Sequence, residues 1–395
     1  MSFSDHLAQT SPYPFGIEVK RAQGCYIEDT SGKKYLDMIS GISVANVGHC
    51  HPHIVKAVQE QSRNYMHVIP YGEFSQAPQN KLADKLASLL PDALNCSYFV
   101  NSGTEANEAA LKLAKRITER HEVVAMKRSY HGATHGSLSV SGNEVKKQRF
   151  RPFVPGTTFI EFNNPLELDK ITSSTAAVIV EPIMGDAGVR IPTNDYLKKL
   201  RTRCTEVGAQ LIFDEIQTGM GRTGSLFALE QFDVVPDILT LAKAFGGGMP
   251  IGAFISSREN MKLLTHDPVL GHITTFGGHP VCCAAALANL EVLTDQESWI
   301  KEASVKGSAL KNMLVHPAIV EVRQIGLMLA VELDSAERVD AVIHQLKDAG
   351  IIAFYFLSTR HAFRLAPPLC ISEEELQRAA KAILGALSEK NEALG

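Results

Sequence analysis

The chain has 395 residues, 45% of them hydrophobic and 21% charged, enough to build more than one packed unit. Its formal net charge of −4 argues against a nucleic-acid binder, which needs clustered lysine and arginine in excess. Residues 1–20 lack a basic stretch followed by an apolar core, and no apolar run reaches about eighteen residues, so a soluble, cytoplasmic protein is expected.

Early in the chain, His49, His51 and His53 flank Cys50 and Pro52. Neighbours in one irregular loop seldom converge on an ion without distant ligands, so no metal is expected. The seven cysteines include no C-x-x-C pair, and their odd number favours reduced, mostly buried thiols over a disulfide framework.

Short apolar runs then alternate with helix-length stretches, at residues 98–100, 123–126, 177–180, 211–213, 238–241 and 252–255. This pattern predicts a largely parallel sheet buried on both faces, in an α/β fold. Ser102-Gly103-Thr104 opens a helix with Ala106, Ala109, Ala110, Leu113, Ala114 and Ile117 on one side. A second helix is expected over 195–206, directing Leu197 and Leu200 inward. The basic residues Lys146, Lys147, Arg149 and Arg151 read as a solvated face, and Cys282 and Cys283 as core residues of an alanine-rich helix. The last third predicts strands around Gly326 over 320–333, a helix over 338–347, a strand at 363–365 and a helix over 373–387, a small α+β unit.

In an open parallel sheet, ligands sit beyond the carboxyl ends of the strands. The residues found there are polar: Ser102-Gly103-Thr104, Tyr130-His131-Gly132, Glu181, Asp214 with Gln217, and Lys243. Free N–H groups at a helix start suit a phosphate, although an ordinary serine cap fits Ser102 as well. Asp214 follows three apolar residues, where a carboxylate needs a charge or a proton donor beside it. Lys243 precedes Ala244-Phe245-Gly246-Gly247-Gly248, and a partly desolvated lysine beside an anionic group can act as a Schiff-base amine. No G-x-x-x-x-G-K-[ST] and no G-x-G-x-x-G after the first strand is present, which argues against nucleotide and nicotinamide chemistry.

The segment D-E-I-Q-T-G-M-G-R-T-G from Asp214 to Gly224, with L-A-K-A-F-G-G-G-M-P from Leu241 to Pro250, resembles the class III pyridoxal-phosphate (PLP) aminotransferases, acetylornithine and ornithine aminotransferases among them. The likeness runs along nearly the whole chain, including T-T-F-G-G-H-P from Thr274 and F-R-L-A-P-P-L from Phe363. It implies the type I PLP fold: a large domain with a seven-stranded, mostly parallel sheet and a small α+β domain built from both chain ends. The divisions expected are an N-terminal segment 1–60 joining the small domain, a large domain 61–300 and a C-terminal small domain 301–395.

The resemblance also implies roles. Lys243 would form the Schiff base and carry the proton, and Asp214 would hold the pyridine nitrogen. Gln217 would reach the ring's phenolic oxygen, with Tyr130 and Ile216 on its two faces. Gly103 and Thr104 would hold the phosphate, joined by Thr275 of a neighbouring subunit, which makes a homodimer part of the site. Glu181, Asp186 and Arg364 would form the substrate end, the last two as the shortened counterpart of a glutamate–arginine pair. Ala133 stands where these relatives commonly carry a carboxylate-binding arginine. Arg149 and Arg151, in the basic run just after the Tyr130 loop, are the candidates to substitute. The activity implied is transfer of an amino group from an ω-amino donor, such as an acylated ornithine or a lysine-like amine, to a 2-oxo acid such as 2-oxoglutarate. An aminomutase or racemase of the same fold, and a non-catalytic ligand-binding protein, are the alternatives.

Overall fold

The computed structural model describes residues 6–70, 72–193 and 195–388. Near the N-terminus, β1 (Val19–Gln23), β2 (Tyr26–Asp29) and β3 (Lys34–Asp37) form an antiparallel meander. The central sheet follows: β4 (Cys96–Val100), β5 (Glu122–Met126), β6 (Thr157–Ile160), β7 (Thr175–Val180), β8 (Gln210–Asp214), β9 (Ile238–Leu241) and β10 (Gly252–Ser256). Their spatial order is β4-β10-β9-β8-β7-β5-β6. Only β10 runs against its neighbours, pairing antiparallel with β4 and β9.

Alternating residues of these strands build two separate cores. Val123, Ala125, Ala177, Ile179, Ile212, Ile238 and Phe254 pack on Ala106, Ala110 and Leu113 of the helix Gly103–Thr118. Val124, Val178, Val180, Leu211, Phe213, Leu239, Leu241 and Ile255 join the main core on the other face, with Leu197 and Leu200 of the helix Tyr196–Val207. Period-two alternation with both faces buried is why these strands read as continuous apolar runs. Cys282 and Cys283 lie in the helix Pro280–Asp295, in that same main core.

The C-terminal part contributes β11 (Ile319–Ile325), β12 (Met328–Leu333), β13 (Ile351–Ile352), β14 (Phe354–Tyr355) and β15 (Ala362–Leu365). Four of them make an antiparallel sheet in the order β11-β12-β15-β14, while β13 adds to β3 in parallel. The two chain ends thus share a sheet. Gly326 at φ +53 turns the β11–β12 hairpin where a Cβ would meet the Thr223 and Arg222 backbone within 2.4–2.6 Å, so only glycine fits.

Arg222 connects the parts. Fully buried, it donates to the carbonyls of Leu327 (2.8 Å) and Pro367 (2.6 Å), to Ser40 Oγ (3.3 Å) and to Asn46 Oδ1. These bonds pin a run with positive φ at Ser40, Gly41, Ile42 and Ser43, which leads to Val44 in the wall of a cavity beyond the ends of the central strands.

Several expectations need correction. The helix expected from 195 begins at Tyr196, because Asp195 takes a left-handed conformation; Asn194 lies outside the described residues. Strand β6, at one edge of the sheet, goes unread in the sequence because only Ile160 of it is fully buried. Lys147 is not part of a solvated face: it is buried, with its ammonium 4.3 Å from the Phe159 ring centroid.

Candidate active site

At the carboxyl ends of β4, β5, β7, β8 and β9 lies a cavity of about 470 Å3, within the range of small-molecule sites. Its walls include Gly103, Thr104, Tyr130, Glu181, Asp214, Ile216, Gln217 and Lys243, eight of the residues singled out in the sequence. Thr275 is exposed and lies outside that wall. Asp186 and Arg364 also lie outside it but are buried, with Asp186 lining a neighbouring chamber together with Tyr130.

Lys243 follows β9 at φ +47, a left-handed conformation that a lysine adopts at some energetic cost and only where its surroundings enforce it. The strain sits where the side chain enters the cavity. Its amine makes no hydrogen bond or ion pair among the described residues. Burial lowers its pKa, partly opposed by the negative charge of Asp214, so a larger share of it is the neutral, nucleophilic form.

Asp214 ends β8, 3% exposed, and is held by three donors. Asn107 Nδ2 donates to its Oδ2 at 2.8 Å, and the Ile216 amide to its Oδ1 at 3.1 Å. His131 Nδ1 lies 2.8 Å from Oδ2. Asn107 is oriented in turn, donating to the His131 carbonyl (2.7 Å) and accepting from Thr240 Oγ1 (2.8 Å). From sequence, His131 is placed among the residues beyond the strand ends without a role, and Asn107 is given none either. The available signal was weak: one polar residue on the buried face of a helix, and one histidine inside the Tyr130-His131-Gly132 loop.

The phosphate end is built on the start of the helix Gly103–Thr118. Ser102 caps it, accepting from the Glu105 amide at 3.3 Å, so the plain capping role holds while Gly103 and Thr104 face the cavity. A Cβ on Gly103 would come within 2.7 Å of Ile216 Cδ1, so glycine is what lets that side chain cross the cavity floor. Thr104 Oγ1 lies 2.8 Å from Thr134 Oγ1 and 2.5 Å from Ser137 Oγ. Gly132, at φ +133, packs on that cluster where a Cβ would sit 2.3 Å from Thr104 Oγ1.

Glu181 uses both oxygens on backbone, accepting from the amides of Tyr130 (3.1 Å) and Gly185 (2.8 Å), and burial pushes its carboxyl up to about 7. It ties the Tyr130 loop to the segment carrying Asp186. Arg364 Nη2 donates to Asp186 Oδ1 at 2.9 Å, with both side chains 8% exposed. Asp186 also accepts from the Leu357 amide and Ser358 Oγ, each at 2.8 Å. Arg364 Nε donates to the Tyr355 carbonyl at 2.8 Å, and its guanidinium lies 4.6 Å from the Phe356 ring centroid. The shorter carboxylate thus still reaches the arginine.

The aminotransferase class-III family model matches residues 7–387. The acetylornithine aminotransferase of Bacillus cereus is 39% identical over 98% of this chain and 99% of its own. A [LysW]-aminoadipate semialdehyde/glutamate semialdehyde transaminase of Sulfolobus acidocaldarius is 38% identical over 96% of this chain and 97% of its own. Among solved structures, the ornithine aminotransferase of Toxoplasma gondii, described with PLP at its active site, superposes with a TM-score of 0.90 at 31% identity, over 97% of this chain and 92% of that one. The seven-stranded sheet is that of the type I PLP fold. The chain belongs to the class III aminotransferases and is a PLP-dependent enzyme of the acetylornithine/ornithine aminotransferase-like kind.

Proposed function

We propose that this enzyme takes the amino group of an ω-amino donor to a 2-oxo acid such as 2-oxoglutarate, working from the cavity between Lys243, Asp214 and the Gly103–Thr104 helix start. The observation that carries this reading is the pairing of an unpartnered, desolvated Lys243 amine with a triply held, buried Asp214 carboxylate in one cavity. The residues fit PLP: Asp214 for the pyridinium nitrogen, Gln217 for the phenolic oxygen, Ile216 and Tyr130 for the ring faces, and free first-turn amides for the phosphate. Bound PLP supplies the electron sink for the charge left on the donor carbon.

The chain's own residues do the rest. Lys243 Nζ would hold the cofactor through its aldehyde and, when free, would move the proton from the donor carbon. Asp214 keeps the ring nitrogen protonated, and His131 with Asn107 keeps Asp214 oriented. Arg364 receives the distal carboxylate of the 2-oxo acid, with Asp186 as its resting partner and Glu181 fixing the loops on either side.

We further infer a homodimer in which Thr275 of one subunit completes the phosphate site of the other. Thr275 is exposed beside Phe276, itself 55% exposed and 5.0 Å from the His67 ring centroid, and Met66, Ile69 and Ile273 add exposed apolar surface. The division into 1–60, 61–300 and 301–395 is the matching domain proposal, supported by the pairing of β13 with β3. The test is to supply a primary ω-amine with and without 2-oxoglutarate and to follow glutamate. Glutamate formed in step with donor consumption supports transfer. Donor isomerised or racemised without a 2-oxo acid would replace the reading by a mutase or racemase. Thr275→Ala should weaken PLP affinity in a protein that sediments as a dimer, and a fully active monomer would contradict the shared site.

A further inference from the structure

A second chamber, of about 220 Å3, adjoins the active-site cavity, and Tyr130, Gly132 and Ala133 line both. Ala133 carries no side chain beyond Cβ to separate them. Leu138, Phe150 and Leu357 make the chamber apolar, and Phe150 and Leu357 are 57% and 43% exposed, so their apolar surface faces outward. Its mouth is braced: Asn143 Nδ2 donates to Ser358 Oγ at 2.8 Å, and Asp186 accepts from the same hydroxyl at 2.8 Å. Lys146 is the only lysine or arginine in its wall, and the ammonium has no partner among the described residues. Arg151, by contrast, is tied to Glu144, and neither Arg149 nor Arg151 lines the chamber.

We propose that this chamber receives the far end of the amino donor: an apolar acyl or aryl group larger than acetyl, on an ω-amino acid whose carboxylate pairs with Lys146 Nζ. The inference rests on the ω-amino donor reading above and names the donor's class. Size permits it, since a cavity of about 150 Å3 already holds benzene. Charge selects it as well. The carboxylate in the wall, Asp186, is already held by Arg364, Ser358 and the Leu357 amide. A free α-ammonium, as in ornithine itself, would therefore lose its water beside a like-charged Lys146 without a free anion to meet it. Acylation removes that charge and supplies the apolar surface.

The experiment compares Nα-benzoylornithine, Nα-acetylornithine, ornithine and 4-aminobutyrate as donors to the holoenzyme with 2-oxoglutarate. The benzoyl donor should exceed the acetyl donor in kcat/KM by about tenfold or more, as burial of a ring-sized group gives, and ornithine should fall below both. Ala133→Phe should collapse the benzoyl-to-acetyl ratio by about tenfold. Lys146→Gln should raise KM for the benzoyl donor about tenfold with little change in kcat, and remove its salt dependence. Calorimetry with Nα-benzoylnorvaline, which lacks the ω-amine and cannot react, should show binding that Ala133→Phe abolishes. Equal use of the acylated donors, or a ratio unmoved by Ala133→Phe, would overturn the chamber assignment while 4-aminobutyrate turnover keeps the aminotransferase reading. No glutamate from any of the four amines would overturn the ω-amino donor reading and the chamber with it.

Discussion

His131 Nδ1 and Asp214 Oδ2 stand 2.8 Å apart, both buried, and the same carboxylate oxygen accepts from Asn107 at 2.8 Å. The shared oxygen makes Asp214 a fixed carboxylate, leaving Oδ1 with a single donor, the Ile216 amide at 3.1 Å. A group that must keep a ring nitrogen protonated benefits from that fixity, since no reorganisation is needed as charge develops.

Asp214→Asn should therefore retain cofactor and fold but lose at least about a hundredfold in kcat, the scale on which misplaced proton chemistry is felt. His131→Leu should show a smaller loss, about tenfold, with weakened PLP affinity, because Asp214 keeps its other two donors. Stopped-flow rates of the donor half reaction measure both. A His131→Leu defect as large as that of Asp214→Asn would mean that His131 acts on the substrate directly.

Arg364 and Asp186 predict a different pattern. Arg364→Ala removes the cation paired with Asp186 among the described residues, and breaking a buried pair costs roughly 3–5 kcal/mol. Thermal stability should fall, and KM for 2-oxoglutarate should rise by at least about tenfold while the donor half reaction changes less. An unchanged KM for 2-oxoglutarate would place the carboxylate anchor elsewhere.

Much of this arrangement could be read from residue order, and the failures have physical causes. Five strands of the central sheet announce themselves because both of their faces are buried, which leaves almost no polar interruption in 177–180 or 238–241, and edge strand β4 does so through the buried Phe99 and Val100. Edge strand β6 and the exposed strand β1 lack that signature: Val19, Lys20 and Arg21 are all exposed. Lys243, Asp214 and Gly103 sit where strands end, so position and residue type coincide. Asn107 sits inside a helix and His131 in the loop after β5, and their use is not legible because it depends on contacts across 107 and 83 positions that no local pattern encodes. Lys147 misleads for a similar reason: its basic neighbours are exposed, and only the fold places the Phe159 ring beneath it.

Glu181 gives a pH prediction. Burial raises its carboxyl from an ordinary 4.5 to about 7, so between those values the folded chain holds a proton that the unfolded chain has released. The stability this group contributes is therefore full below about 4.5 and is lost as pH rises through about 7. Glu181→Gln cannot ionise, so relative to wild type it should gain stability on going from pH 5 to pH 8, by up to roughly 3 kcal/mol. Urea unfolding at both pH values with saturating PLP measures the difference. A difference that does not change with pH would show that Glu181 is already ionised at pH 5.

The most direct test of the whole account is the visible absorption spectrum of purified, PLP-loaded protein, wild type against Lys243→Ala, read together with glutamate formation from an ω-amine and 2-oxoglutarate. Lys243 is the one amine the cavity presents without a partner, so the variant should lose the visible band of the lysine-bound cofactor and its turnover together, while its far-ultraviolet circular dichroism stays that of the wild type. A variant that keeps the wild-type visible band, or turns over at the wild-type rate, would contradict the assignment of Lys243 and the mechanism built on it.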